Sequence, residues 1–118
     1  MGTLSAIGGW ELMNWAGQEP GVYVNGNVAT LFGTIVCRAG GFSGAAWTKS
    51  FDIGKVSPRP KFKNEQFVTV NGASGLNDSH FLLSVFVDGT IYVRAAKDFT
   101  LHVGDGISLD GYTYVIAP

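Results

Sequence analysis

Charge is scarce in this sequence. Of 118 residues, 8 are Lys or Arg and 9 are Asp or Glu, together 14%. An ordinary soluble domain carries about 25%. The net charge of −1 argues against the concentrated basic surface that nucleic acid requires, so no nucleic-acid partner is expected. A near-neutral, charge-poor surface associates readily, and part of it is expected to be covered by further copies of the chain. Lys55, Arg59, Lys61 and Lys63 do lie close together. They are grouped around Pro58 and Pro60, however, and a solvated turn is the simpler reading.

Cysteine occurs once, at Cys37, so the chain can close no disulfide with itself. In its apolar surroundings Cys37 reads as a small buried hydrophobe. With His80 and His102 the only histidines, the closely spaced ligands of a zinc site are missing, and neither metal nor cofactor is expected. No Gly-x-Ser-x-Gly or Walker-type loop is present, and Gly41-Phe-Ser-Gly44 lacks the required spacing. The carboxylates are scattered. A glycosidase pair stays open on sequence alone, but Asp52, Asp88 and Asp110 lie at or near glycines and suit turn duty. The expectation is that the protein is not an enzyme.

Long apolar runs are missing too, so membrane insertion is not expected. Met1–Gly9 has neither a basic start nor a long apolar core, the marks of a signal peptide, and folding in the cytoplasm is the expectation. No helical periodicity extends far enough to specify a helix. Ser5–Asn14 and Gly44–Ser50 come nearest, and their glycines and tryptophans suit loop and strand better.

What the sequence does have is 17 Gly and 15 aromatic residues, of which 8 are Phe, 4 Tyr and 3 Trp. That mixture predicts an all-β chain: an antiparallel β-sandwich or jelly-roll-like barrel of about nine short strands. Residues 1–8 read as a linker or boundary segment, and 9–118 as a single domain. Gly9–Trp15 suits an edge strand. Val22–Val24 and Val28–Arg38 flank Asn25-Gly26, a type I′ hairpin signal, and Gly33 suggests a bulge or a close backbone approach. Ala39–Ala46 is expected as a loop, Trp47–Ile53 as a strand, Gly54–Asn64 as a connector and Glu65–Val70 as a strand. Gly72–Ser79 reads as a polar loop leading into a second I′ hairpin, Phe81–Ala95, around Asp88-Gly89. That hairpin is apolar on both faces, so its outer face is expected to meet another sheet or another subunit. Strand character continues through Phe99–Val103, Ile107–Asp110 and Tyr112–Ile116.

The order of motifs is similar to a C-terminal head domain of bacteriophage tail-fibre and receptor-binding proteins. The motifs that carry the likeness are Gly9-Trp10, Asn25-Gly26, Leu31-Phe-Gly33-Thr-Ile35, Arg59-Pro60, Val70-Asn71-Gly72, Asp88-Gly89-Thr90-Ile91 and Ser108-Leu109-Asp110-Gly111-Tyr112-Thr-Tyr114. They span nearly the whole chain from Gly9; the departure is Gly72–Ser79, longer than the family pattern. The resemblance implies a homotrimer at the virion tail tip, in contact with other tail or baseplate proteins, that adsorbs to host cell-surface polysaccharide or another glycan. The alternative it leaves is a structural trimerisation or capping domain with no receptor site of its own.

Sugar recognition needs flat aromatics for the ring face and convergent polar groups for the hydroxyls. Asn77, Asp78 and His80 on the polar loop are the candidates for the second role, and Trp47 is a candidate stacking platform. Arg59 and Arg94 could line an intersubunit site.

Overall fold

β-Branched and aromatic residues interrupted by glycine give extended chain with frequent reversals, and that is the architecture found. The computed structural model describes residues 2–13, 19–39, 42–47, 50–71 and 77–118, of 42 and 77–79 the backbone alone. Thirteen strands occur among them. In chain order they are β1 (Thr3–Ala6), β2 (Trp10–Leu12), β3 (Gly21–Asn25), β4 (Val28–Phe32), β5 (Thr34–Cys37), β6 (Phe42–Gly44) and β7 (Phe51–Ser57). Then follow β8 (Asn64–Asn71), β9 (Asn77–Val85), β10 (Thr90–Ala95), β11 (Phe99–Leu101), β12 (Gly106–Ser108) and β13 (Thr113–Val115).

Eight strands form one sheet in the order β1-β7-β10-β9-β8-β12-β5-β2. Its two outermost strands are consecutive in the chain, so the sheet curls into a nearly closed antiparallel barrel. A three-stranded sheet, β13-β4-β3, and a two-stranded one, β11-β6, complete the structure. The expected all-β sandwich or barrel is therefore the fold. One hydrophobic cluster joins the barrel interior (Ile35, Ile53, Leu83, Ile91, Ile107) to the inner face of the three-stranded sheet (Val22, Ala29, Leu31, Tyr114). Cys37 is wholly buried in the same cluster, as expected of a small hydrophobe.

Several expectations are corrected. Thr3–Ala6, inside the stretch read as a linker, pairs along β7 from Ser57 to Gly54. That pairing extends β7 through residues read as connector. The Gly-rich segment read as a loop contains β6, which pairs with Phe99–Leu101. The long strand expected over Val28–Arg38 breaks at Gly33. Its φ is +96°, and a Cβ there would lie 2.5 Å from Pro20. Gly33 is the corner at which the chain passes from the small sheet into the barrel, the close backbone approach its position suggested. The stretches 14–18, 48–49 and 72–76 lie outside the described residues, and with them the readings made of Trp15, Lys49 and the Asn71-Gly72 turn.

The hairpin turns also differ from expectation. A type I′ turn needs φ > 0 at both central residues. In each hairpin only the glycine takes it, at 62° for Gly26 and 89° for Gly89. In the second hairpin Gly89 N–H donates to the Phe86 carbonyl at 2.8 Å and Phe86 N–H to the Thr90 carbonyl at 3.0 Å. This is a turn over Phe86–Gly89 closed by a left-handed glycine bulge. Asp88 avoids the left-handed cost of about 1–2 kcal/mol, and its Oδ1 accepts the Thr90 N–H at 2.9 Å instead.

Candidate functional site

Alternation along β9 and β10 sends Phe81, Leu83, Val85, Ile91, Val93 and Ala95 into the barrel, where all are buried. The other set faces outward: Leu82 and Ser84 on β9, Tyr92 and Arg94 on β10. Register puts Tyr92 opposite Ser84 and Arg94 opposite Leu82, while Glu65 of β8 lies opposite Ser84 from the other side. Phe86, just past β9, packs its ring on Tyr92 with centroids 4.3 Å apart.

Over this face stands Trp47. Its turn is tied at two points. Ala46 N–H donates to Asp98 Oδ1 at 3.0 Å, and Trp47 N–H donates to the Ala95 carbonyl at 2.9 Å. Trp47 has φ of 60°, and among the described residues it is the one non-glycine at positive φ. Trp47 is 48% exposed. The result is an open cleft of about 270 Å³ lined, among the described residues, by Trp47, Ser50, Lys63, Ser84, Phe86, Tyr92 and Arg94.

A polar network links the groups of this face. Glu65 Oε2 accepts from Ser84 Oγ and from Arg94 Nη2, each at 3.0 Å, and Lys63 Nζ stands 3.2 Å from Oε1. Partial desolvation pushes the Glu65 carboxyl up. The Ser84, Lys63 and Arg94 hydrogen bonds, with the Lys63 charge, outweigh it, and the pKa lies below the ordinary carboxylate value. Each cation also sits over a ring: Arg94 Cζ is 5.1 Å from the Trp47 centroid, and Lys63 Nζ 5.1 Å from that of Phe86. Both distances fall within the range of cation–π attraction.

Of the residues singled out from sequence, Trp47 is part of this cleft and so is Arg94. His80 lies at the same end of the barrel. It is exposed, shares the outward parity of Leu82 and Ser84, and its carbonyl accepts the Ala96 N–H at 2.8 Å. Asn77 and Asp78 are not on a loop. They open β9, paired with Asn71 and Val70, because the polar stretch extends the β8–β9 ladder. What their side chains do lies outside the described residues. Arg59 is elsewhere. β7 runs from Phe51, opposite Val93, past Lys55, opposite Thr90, so Arg59 follows at the hairpin-turn end while Trp47 is tied at the Ala95 end. The Arg59 carbonyl accepts the Ala117 N–H at 2.9 Å, next to the C-terminal residues.

Phe86, Tyr92, Ser84, Lys63 and Glu65 were not expected at a site. The signal for the first three was the hairpin with two apolar faces, whose outer face here floors a cleft. Lys63 groups by sequence with the basic residues around the prolines, but it directly precedes β8, two residues from Glu65, and the pairing of Asn64 with Val85 brings it to Phe86.

No family model, curated protein or solved structure matches this chain.

Proposed function

We propose that this chain is the head domain of a bacteriophage tail fibre or receptor-binding protein, and that it adsorbs the virion to a host-surface saccharide without catalysing a reaction. The cleft carries the reading. An exposed indole and a Phe–Tyr floor offer the apolar face of a sugar ring a flat surface, and converging Ser, Lys and Arg side chains offer hydrogen bonds to its polar substituents. The ordered motif series from Gly9-Trp10 to Tyr112-Thr-Tyr114 agrees with it, and the low charge agrees with a homotrimer. In this reading the domain works at the virion tail tip beside other tail or baseplate proteins.

The test is a glycan array probed with the full chain and with Trp47→Ala, followed by competition against phage adsorption to host cells. Trp47→Ala should retain its thermal midpoint within a few degrees yet bind at least about fivefold more weakly, the loss of roughly 1 kcal/mol of ring contact. Equal binding by both proteins would remove Trp47 from the site. If no glycan is captured, the purely structural trimerisation or capping role is the reading to keep.

A further inference from the structure

We propose that the cleft selects a saccharide carrying an acidic substituent, carboxylate or phosphate, over the corresponding neutral sugar. This rests on the saccharide reading of the same cleft. Sugar hydroxyls both donate and accept, so a site for neutral sugar presents acceptors such as carboxylate or amide oxygens to the ligand. Among the described lining residues none is an acceptor-only or amide group. The charged ones, Lys63 and Arg94, are both cations, and Trp47, Ser50, Ser84 and Tyr92 offer an indole N–H and hydroxyls.

The nearest carboxylate is turned to a different task. Glu65 is not among the lining groups. It stands beside Ser84 on the same outward face, engaged by Ser84 and Arg94 at 3.0 Å and by Lys63 at 3.2 Å. Among the lining groups and the carboxylate they directly contact, two cations share one carboxylate. An ammonium has three donors and a guanidinium five, so each head retains N–H groups beyond those that Glu65 takes. Two other carboxylates stand on the surrounding elements, outside the lining. Asp52 is opposite Tyr92 in the β7–β10 register, and Asp98 accepts the Ala46 N–H. The cations are held over the Trp47 and Phe86 rings, which fixes them beside the space a sugar would fill. An acidic group entering there meets two charge-assisted donors already in position.

Matched pairs test this: galacturonate against galactose oligosaccharides, and galactose 6-phosphate against galactose, titrated calorimetrically into the full chain at low and at physiological salt. The acidic member of at least one pair should bind about tenfold tighter, the effect of one charge-assisted hydrogen bond, and salt should narrow the gap. Whichever acid is preferred identifies the source of the anion. Lys63→Gln should shrink the preference several-fold. Glu65→Gln, which keeps acceptors for Ser84 and Arg94 but removes the counter-charge, should widen it; thermal melts of both variants confirm folding. Equal binding of acidic and neutral sugars, lost in Trp47→Ala, would overturn the acidic selectivity while leaving the saccharide reading intact. No binding of either kind would overturn both. A single-stranded oligonucleotide binding tighter than the acidic sugars would reassign the cleft to nucleic acid.

Discussion

Trp47 concentrates the tension between stability and binding in one residue. A left-handed backbone costs a residue with a Cβ about 1–2 kcal/mol, and such strain persists where surrounding contacts over-determine it. Here the two backbone hydrogen bonds to Asp98 and Ala95 do so. Both Trp47→Ala and Trp47→Gly lose the indole, but glycine alone relieves the backbone. Trp47→Gly should therefore be the more stable variant by about 1 kcal/mol in urea unfolding, despite glycine's greater chain entropy. Equal stabilities would mean that the turn is unstrained. Tyr114 makes a prediction of another kind. Burial pushes its hydroxyl from the ordinary 10.0 to about 12, and the O–H donates to the Pro58 carbonyl at 2.6 Å. The folded chain thus holds a proton that the unfolded chain releases near 10, so this stability is complete below pH 10 and is lost as pH rises through 12. Tyr112 is pushed in the same direction by its burial. Tyr114→Phe should flatten the alkaline decline in thermal midpoint without abolishing it, and an unchanged slope would exclude Tyr114 as a contributor.

At the level of elements, the β9–β10 hairpin is the most legible part of the sequence, and even there the turn type is not. Apolar runs flanking Asp88-Gly89 identify a hairpin, but they do not say whether Asp88 or only Gly89 adopts positive φ. That is decided by a side-chain hydrogen bond, Thr90 N–H to Asp88 Oδ1. Gly89 is the sensitive position: its φ is +89°, and a Cβ would lie 2.5 Å from the Val56 carbonyl oxygen. Gly89→Ala should cost about 1–3 kcal/mol, read from chemical denaturation, whereas Asp88→Ala should cost less because the turn survives it. The site was less legible for a related reason. Trp47 and Arg94 stand out singly in the sequence, but the cleft exists because β8, β9 and β10 align Glu65 with Ser84 and Ser84 with Tyr92. Register across three strands, with a bulge between Val68 and Val70 on the way, is a property of pairing that no single segment encodes. Asn77 and Asp78 looked like loop residues because polar composition suggests a loop wherever the partner strand is unknown.

Across the whole molecule, the question raised by so little charge is where the apolar surface goes. The outward face of the three-stranded sheet is the clearest answer. Register aligns Tyr23, Thr30 and Thr113 in one row, Asn25, Val28 and Val115 in the next, and Gly21 with Phe32 beyond. None of these side chains is charged, and Tyr23, Val115 and Phe32 are 55%, 45% and 36% exposed. The opposite face of the same strands, with Val22, Leu31 and Tyr114, is already in the core. The edges β3 and β13 carry none of the charges that ordinarily keep edge strands apart. A second and third copy of this chain are the partners proposed for the face. Multi-angle light scattering at micromolar concentration should then give a mass above the monomer. Thr30→Lys, which places a like charge at the centre of every copy's face, should lower that mass while leaving far-UV circular dichroism unchanged. A wild-type monomer would end the account of the missing charge. The variant also separates the two surfaces, because the cleft is built on the outer face of the barrel from residues of a single copy. Monomeric Thr30→Lys should bind each glycan unit as tightly as the wild type, and lose only the avidity gained when linked sites engage a multivalent surface together.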